Sequence, residues 1–461
     1  MEGKTAEKDK SKKWYLFERY LYWNYRKFYT FGKWMQLRFS PSGRMLAVLT
    51  GITGALGADT TSSVTYQAFS LLLILLTGSF FMSFSKRWKV TVRRHAPSVG
   101  SVGEECSYFI DVDIKSKNVT EGVYVVEHGP DPRPNFMEFA EQREPLEYKR
   151  NIIDRFYAYY RWKWLISSNE MLNSNAIQKF TLYGDRTNRL TVKITPKKRG
   201  LLNLTELYLG IPSATGLTYS IVKKQIPDSM LILPERVPIN RYEFPGVSSP
   251  ESGTMAKGLF GGSEDEFLSL RDYRPGDPLK QIHWPSSAKT KKLIVKETQN
   301  VSRARCGIIL DVSCKAEDAL EFEKLISIAT SIACQTEDKP IDLDFLFVGQ
   351  KAHCFSTGPG QGDLDQLMKI LATIQYESEN SWEPLTKAVE ENSEKIQGAV
   401  FLTMHDDDKR SGMIKYLDQQ GIPNQMFVLS ENSQHYTGDL GFKKKITLCR
   451  DNYKQQLQEL K

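Results

Sequence analysis

The stretch TTSSVTYQAFSLLLILLTGSFFMSFS, residues 60–85, contains no charged side chain. A helix needs about 20 mostly apolar residues to cross the hydrocarbon core of a bilayer, so this run is long enough to span a membrane. The preceding run MLAVLTGITGALGA, residues 45–58, is also uncharged. Residues 45–85 are therefore predicted to form two transmembrane helices joined by a short loop near Asp59. A buried helical hairpin of a soluble protein is the alternative.

Small residues in the first run favour close packing of the two predicted helices. Glycine recurs there at every third position, at Gly51, Gly54 and Gly57. Because glycine has no side chain, it lets two membrane helices approach each other closely. This pattern supports a helical hairpin rather than two separate spans.

The charges that flank the predicted hairpin indicate its orientation. The segment from Lys12 to Arg44 is rich in Lys and Arg and has one acid, Glu18, and the run Lys86-Arg87-Trp88-Lys89 follows the second helix. The loop between the helices has no Lys or Arg, so the positive-inside rule places both ends of the chain in the cytoplasm. The 6 cysteines contain no C-x-x-C pattern, which agrees with reduced thiols in that compartment.

Residues 1–44 form a basic, aromatic segment ahead of the predicted hairpin. Its core, WYLFERYLYWNYRKFYTFGKWMQLRF at residues 14–39, interleaves aromatic rings with Arg and Lys. This composition suits the headgroup layer of an anionic membrane, and it also suits stacking on nucleic-acid bases. The neighbouring apolar runs favour the membrane, so the segment is predicted to be cytoplasmic or interfacial and no nucleic acid is expected as a partner.

Residues 86–235 are predicted to form a β-sandwich-like domain, because short alternating runs such as SYFIDVDI are separated by Gly and Pro. A helical insert at about residues 129–180 interrupts it. The insert contains YKRNIIDRFYAYYRWKWLI, residues 148–166, whose apolar spacing is helical. Its apolar side chains are predicted to share one face: Ile152, Ile153, Phe156, Tyr160 and Trp164. This helix is expected to pack on the sandwich or, alternatively, to contact the membrane surface or a partner.

Residues 236–262 are rich in Pro, Gly and Ser and are predicted to be a linker. They precede residues 263–300, which include RDYRPGDPLKQIHW at 271–284. In this stretch Pro275-Gly276 fits the centre of a type II turn, because glycine accepts a positive φ. A charge cluster is expected nearby, formed by Arg271, Arg274 and Asp277.

The sequence after this turn predicts a short helix and then a strand. Asp277 is predicted to be the N-cap of the helix, with Pro278 as its first residue. Pro285 is predicted to end the helix after Trp284, since proline disfavours helix before it. The apolar run Leu293-Ile294-Val295 indicates a strand.

From about residue 301 to 461 the pattern alternates between apolar strands and amphipathic helices. CGIILDVS at 306–313 is a buried strand that ends in polar residues, and a long helical pattern follows it. Alternation of this kind predicts a doubly wound α/β domain with a mostly parallel sheet. Ligands of such sheets bind at the carboxyl ends of the strands, which directs attention to Asp311 and Ser313.

The segment from Glu266 to Ala288 reads EF-x-x-x-R-x-Y-x-P-G-D-x-x-x-x-I-x-W-x-x-x-A, and it resembles the signature of domain-of-unknown-function family 58. The matching residues are Glu266, Phe267, Arg271, Tyr273, Pro275, Gly276, Asp277, Ile282, Trp284 and Ala288. The sequence departs from the family at His283, where an acid is usual, and at Lys289, where Arg is usual. The insert at 129–180 is also longer than expected.

The resemblance implies an architecture for most of the chain. Members of the family begin with two membrane helices, continue with a β-rich segment that has a turn like Lys198-Arg199-Gly200, and end in a von Willebrand factor A-like domain. They accompany MoxR-type AAA+ ATPases, so such an ATPase is the expected partner. The expected location is the inner membrane of a bacterial cell, with the N-terminus and the large C-terminal region in the cytoplasm.

The resemblance also raises the question of a metal site. Domains like von Willebrand factor A bind Mg²⁺ through a D-x-S-x-S motif, whose first two positions match Asp311 and Ser313. Lys315 replaces the third position, and Asp406 matches a later acidic position. The sequence therefore indicates a degraded Mg²⁺ site. The alternative is that Asp311 and Ser313 cap the next helix or pair with Lys315.

Catalytic chemistry has little support in the sequence. The chain lacks Walker A, G-x-S-x-G and H-E-x-x-H motifs. His405 precedes Asp406, Asp407 and Asp408, but helix-capping acids explain this run as well as catalysis does. The protein is thus predicted to be a non-enzymatic, membrane-tethered adaptor or scaffold for a MoxR-type ATPase, in the assembly or maturation of a protein complex. The alternative function is Mg²⁺-dependent ligand binding of the adhesion type.

Overall fold

A computed structural model describes most of the 461-residue chain. The described residues are 2–56, 63–85, 88–115, 119–145, 147–173, 178–184, 186–240, 242–247, 265–300, 304–314, 318–337, 341–348, 352–357, 361–376, 382–430 and 445–459. Much of the predicted linker, as well as Gly57 and Lys315, lies outside them. The chain divides into two compact units, one built mainly from Met1–Arg236 and the other mainly from residues 237–461.

The first unit begins with three helices: α1 Glu2–Arg38, α2 Pro41–Leu56 and α3 Ser63–Ser85. Between α1 and α2, the hydroxyl of Ser40 accepts the N–H of Gly43 at 3.0 Å. Proline is favoured in the first turn of a helix, where its missing N–H costs nothing, so Ser40 and Pro41 together start α2. Most of the basic, aromatic segment of the sequence is therefore one long helix, α1, and its last residues begin α2.

Among the described residues, one helix is long and apolar enough to cross a membrane. It is Val64–Phe84 within α3, with a mean hydropathy of 1.7, and 11% of that stretch is buried. α2 has 16 residues, which is short of the roughly 20 that a span needs. α2 packs against α3 at Gly54, where an added Cβ would lie 2.9 Å from the ring of Phe69. The two-span hairpin therefore stays a prediction.

The turn between two long strands of the first unit is bonded to these helices. The strands are β7 Gly200–Pro212 and β8 Tyr219–Leu233. In the turn, the hydroxyl of Thr218 donates to the carbonyl of Ser79 on α3 at 2.9 Å, and the hydroxyls of Ser79 and Thr215 lie 2.6 Å apart. The carbonyl of Leu217 accepts the N–H of Ser40 at 3.0 Å. The ends of α2 and α3 are therefore fixed to one β-turn.

The strands of the first unit form two sheets. Their bounds are β1 Val90–His95, β2 Val99–Ser101, β3 Cys106–Ile114, β4 Thr120–His128, β5 Gln178–Leu182 and β6 Thr187–Ile194, together with β7 and β8. One sheet has the order β1-β3-β6 and the other β2-β8-β7-β4-β5. Buried side chains of both sheets, such as Ile110 and Leu209, belong to one hydrophobic cluster. Alternation along the strands places these residues inward.

The insert of the first unit contains three short helices, α4 Phe136–Glu141, α5 Ile152–Tyr157 and α6 Tyr159–Asn169. Its buried side chains cluster with Tyr22 of α1, so the insert packs on α1. The expectation of one continuous helix is wrong, because Ala158 has a left-handed φ of 51° and ends α5.

The second unit has a two-stranded sheet and a six-stranded sheet. The antiparallel pair is β9 Asp265–Asp272 and β10 Ile294–Asn300, separated by α7 Trp284–Thr290. The larger sheet contains β11 Ala304–Leu310, β12 Ile341–Val348, β13 Ala352–Thr357, β14 Gly398–Thr403, β15 Asn424–Ser430 and β16 Lys445–Cys449. Its order is β13-β12-β11-β14-β15-β16. Only β13 is antiparallel to its neighbour among these described strands.

Helices connect the strands of the larger sheet. Those between strands are α8 Ala319–Cys334, α9 Gln361–Thr373, α10 Trp382–Asn392 and α11 Asp408–Gln419, and α12 Tyr453–Glu459 follows β16. From β11 the chain goes to β12 on one side, and later to β14 on the other. The strand order therefore reverses between β11 and β14, and the crevice at such a reversal is where open α/β sheets hold ligands.

Candidate functional site

The carboxylate of Asp311 lies directly after β11, at the reversal of strand order, and the residue is 1% exposed. One of its oxygens accepts the backbone N–H of Ser313 at 3.0 Å and the hydroxyl of Ser313 at 2.6 Å. The other accepts the hydroxyl of Thr403, at the end of β14, at 2.9 Å. It also accepts the Nε of Arg410 at 3.0 Å. Both oxygens of Asp311 are thus bonded to groups of the chain itself.

Arg410 supplies the positive charge beside Asp311. It lies in the first turn of α11, where Asp407 is the N-cap and accepts the backbone N–H of Arg410 at 2.9 Å. The guanidinium also donates to the carboxylate of Asp407 at 2.6 Å and lies over the ring of Trp382, 4.6 Å from its centroid. Arg410 is therefore held by two carboxylates and an aromatic face.

The remaining residues of the predicted metal site have other partners. Asp406 is exposed, and its carboxylate pairs with the Nζ of Lys445 at 2.5 Å. His405 lies 3.2 Å from the carbonyl of Ser313 through its Nε2. The structure thus brings Asp311 and Ser313 together, whereas the carboxylate of Asp406 pairs with Lys445 instead. Within the described ranges, no group of three or more His, Cys, Asp and Glu side chains has a metal-binding arrangement.

Sequence reasoning missed Arg410, although a signal for it was present. The run of acids after β14 was interpreted as helix capping, and Asp407 does cap α11. An arginine three residues after an N-cap lies on the first turn of its helix and is within reach of the cap. Its second partner, Asp311, is 99 positions away in the sequence, and no local pattern indicates that contact.

The signature segment folds around an ion pair between Arg271 and Asp277. Two guanidinium nitrogens donate to the two carboxylate oxygens, each at 2.7 Å, and one oxygen also accepts the N–H of Arg274 at 2.8 Å. Gly276 has a φ of 111°, and the N–H of Asp277 donates to the carbonyl of Arg274 at 3.0 Å. A turn centred on Pro275-Gly276 is therefore present where the sequence predicted it.

Two predictions about the short helix of this segment are wrong. Asp277 is not an N-cap, because its carboxylate is bonded to Arg271 and Arg274; the 3-10 helix Leu279–Gln281 begins after Pro278 without a side-chain cap. Pro285 does not end a helix, because it lies in the first turn of α7, where proline is favoured.

The signature segment exposes two large apolar side chains on a frame, which consists of the turn held by Arg271 and Asp277 and the start of α7 bonded to β10. Leu279 is 70% exposed and Trp284 is 64% exposed. The hydroxyl of Ser287 accepts the N–H of Ile294 at 2.9 Å. The carbonyl of Ile294 in turn accepts the N–H of His283 at 2.8 Å. Hydrogen bonds to β10 thus fix the start of α7, which carries Trp284. The side chains of Glu266 and Phe267 are not among those that the structure describes.

We expect protonation of Asp277 to loosen this frame. Hydrogen bonds from Arg271 and Arg274 lower the pKa of the carboxyl from 3.8 to about 2. A group with a depressed pKa stabilises the folded state above its unfolded pKa, and this contribution is lost as the pH falls through the folded pKa. Hydrogen exchange of residues 271–284 should therefore be slower in the wild type than in Asp277→Asn above pH 3.8, and the difference should vanish near pH 2.

The neighbouring exposed acid provides the control for this measurement. Asp272→Asn removes the carboxylate next to Arg271 at the end of β9 and leaves the ion pair intact. Hydrogen exchange of residues 271–284 in this variant should therefore follow the wild type at every pH. If Asp277→Asn also follows the wild type above pH 3.8, the ion pair does not brace the segment.

Comparison with known proteins adds no family. The sequence matches no protein-family model, and no curated protein matches it. One similar solved structure is a β-glucosidase from Listeria innocua in complex with isofagomine, at 11% sequence identity and a TM-score of 0.14. The match covers 32% of this chain and 17% of that chain, and a likeness at this level carries no argument. The resemblance to family 58 stays a prediction.

Proposed function

We propose that this chain is a membrane-tethered, non-enzymatic interaction protein. In this proposal α3 anchors it, and the second unit, which resembles a von Willebrand factor A domain, recruits a MoxR-type AAA+ ATPase on the cytoplasmic side of the inner membrane. The observation that carries the proposal is the exposure of Trp284 and Leu279 on a segment fixed by the Arg271–Asp277 ion pair and by hydrogen bonds to β10. The ATPase itself comes from the sequence resemblance.

The physical argument starts from the cost of exposing a large apolar side chain. Burying such a side chain is worth about 1.5–3 kcal/mol, and tryptophan is enriched among the residues that dominate protein interfaces. A side chain that is already held in place loses little conformational entropy when a partner binds. Trp284, on a helix start bonded to β10, satisfies both conditions and is the proposed anchor of the partner interface.

The Asp311 network supports a binding role over a chemical one. A catalytic or metal-binding carboxylate needs a free acceptor position for its substrate or ion, whereas the oxygens of Asp311 accept from Ser313, Thr403 and Arg410. The Mg²⁺-dependent alternative would require the ion to displace Arg410 from Asp311 and Lys445 from Asp406. These contacts weigh against that alternative.

Truncating Trp284 should release the ATPase. We expect Trp284→Ala to lower recovery of the ATPase at least tenfold when the tagged full chain is purified from membranes, because truncation of a central interface residue costs about 2 kcal/mol or more. The matched control is Phe109→Ala, which removes an exposed aromatic ring from β3 of the first unit and should leave recovery unchanged.

Two results would contradict the proposal in different ways. Undiminished recovery with Trp284→Ala would show that the partner binds elsewhere. No ATPase with the wild type, at cellular expression levels and under native lysis, would remove the ATPase as the partner.

A further inference from the structure

The six residues of α5 expose most of their apolar side chains. Ile152 is 83% exposed and Ile153 is 68% exposed, and Phe156 and Tyr157 are exposed as well. Isoleucine is among the residues most often buried in soluble proteins. Two adjacent exposed isoleucines beside two exposed aromatic rings form a contiguous apolar surface, and such surfaces mark contacts with membranes or other molecules.

α5 is held firmly in this outward position. The rings of Phe156 and Phe17 lie 4.7 Å apart between centroids, and the hydroxyl of Tyr25 donates to the carbonyl of Tyr157 at 2.7 Å. These contacts attach the C-terminal end of α5 to α1. Asn151 caps the other end by accepting the N–H of Asp154. The isoleucines are therefore exposed on a capped helix that α1 holds at its C-terminal end.

Several acids of this region are paired with arginines. Arg161, buried on α6, bridges Glu147 and Glu18, and Arg150 pairs with Glu144 at 2.6 Å. The exposed side chains around the apolar surface include several bases, namely Arg19, Lys27, Lys149, Arg155 and Lys163. A surface of exposed bases beside apolar and aromatic side chains suits the headgroup layer of an anionic bilayer better than an apolar groove of a protein without acids.

α1 connects this surface with the end of the spanning helix. The rings of Trp34 and Phe80 lie 6.1 Å apart, and the guanidinium of Arg38 lies over the ring of Phe84 at 4.5 Å. Both phenylalanines belong to the last two turns of α3. Exposed apolar side chains recur along α1 from this end toward α5, at Trp34, Phe31, Trp23, Tyr20 and Leu16. These residues lie along one helix face, opposite the face through which Tyr22 and Tyr25 contact the insert.

We infer that α5 forms an interfacial surface that lies in the headgroup layer of an anionic bilayer. The chain then contacts the membrane at a second place besides α3, through the insert. This inference rests on the membrane-tethered part of the proposed function. It chooses the second of the two roles that the sequence left open for the insert.

Photo-crosslinking in native membranes tests the inference. Position 152 is replaced by p-benzoylphenylalanine in the full chain; because Ile152 points into solvent, the larger side chain fits without repacking. Ile74 on α3, 70% exposed, is replaced in a second variant as the control for the membrane span. Phe109, an exposed ring on the β-sandwich, is replaced in a third. After irradiation, mass spectrometry distinguishes lipid adducts from protein adducts.

We expect lipid adducts at positions 152 and 74 and none at 109. Lipid at 74 with no adduct or only protein adducts at 152 overturns the inference and leaves the tether in place. No lipid at either 74 or 152 overturns the inference together with the tether. Equal lipid labelling at 109 and 152 also overturns it, because the label then reports no defined surface.

Discussion

Replacing Arg410 with alanine is expected to destabilise the second unit by about 3–5 kcal/mol, which is the usual cost of leaving a buried charge without its partner. Asp311 is buried, and Arg410 is the cation that its carboxylate contacts in the structure. The variant keeps the carboxylate and removes that cation. Hydrogen exchange of peptides from β11 and β14, in the full chain in detergent, should accelerate accordingly, because both strands end at this network.

The exposed ion pair nearby gives the matched control. Lys445→Ala removes the partner of Asp406, but both side chains are about half exposed, and a surface pair contributes about 0–1 kcal/mol. Its effect on β11 should be small. Arg410→Lys should fall between the two, since it keeps the charge and loses the planar, multidentate contact.

Mg²⁺ provides a second readout of the same network. In the wild type, Mg²⁺ should leave the exchange of β11 unchanged, because Arg410 already neutralises Asp311. Protection of β11 by Mg²⁺ in the wild type would show that the ion displaces Arg410, and the Mg²⁺-dependent function would then replace the adaptor role. A loss of less than 1 kcal/mol in Arg410→Ala would show that the network does not stabilise the sheet.

Breaking the buried ion pair between the two sheets of the first unit is expected to cost a similar amount. Arg94 on β1 and Glu127 on β4 face each other with side chains 0% and 2% exposed, so they join the two sheets through the core. The hydroxyl of Tyr108 also donates to Glu127. Glu127→Leu leaves the guanidinium buried without a counter-charge, and we expect a loss of about 3–5 kcal/mol, read from hydrogen exchange of β1 and β4.

The double variant separates the ion pair from the packing around it. Arg94→Met combined with Glu127→Leu removes both charges and keeps similar volumes, and such replacements are often neutral or stabilising. We expect it to recover part of the loss, because the carbonyls of Leu204 and Ile226 and the hydroxyl of Tyr108 lose their partners in the double variant. Arg189→Met, at the exposed pair with Asp111, is the surface control and should change stability by less than about 1 kcal/mol. A double variant as unstable as Glu127→Leu would indicate a packing effect.

These contacts show what the sequence could and could not predict. The turn at Pro275-Gly276 was predictable because proline and glycine restrict the backbone locally. The ion pair of Asp277 with Arg271 was also expected, as part of a charge cluster, and the structure contains it. The wrong prediction was the N-cap role of Asp277, since both an N-cap and an ion pair satisfy an aspartate at that position. The turn at Pro275-Gly276 brings Asp277 back to Arg271 at the end of β9, and the ion pair forms there.

The break at Ala158 and the pairing of Arg410 with Asp311 were out of reach for the same reason. Alanine favours helix, so a left-handed alanine between α5 and α6 reflects tertiary packing, here of Trp162 and Phe139 against α1. Likewise, the six-stranded sheet brings the ends of β11 and β14 together, and only then does Arg410 meet Asp311. Local patterns predict elements, while the long-range fold selects the partners of polar side chains.

The hydroxyl contacts between Ser79 and the turn that joins β7 to β8 have a mechanical consequence. They attach the two sheets of the first unit to α3 at Ser79, in addition to the covalent chain. The two sheets and α3 should therefore move together. A motor that pulled on this unit would transmit force through two long strands to the hydroxyl contacts. If α3 spans a bilayer as proposed, such a force would act on α3 directly, as a tilt or rotation of that helix.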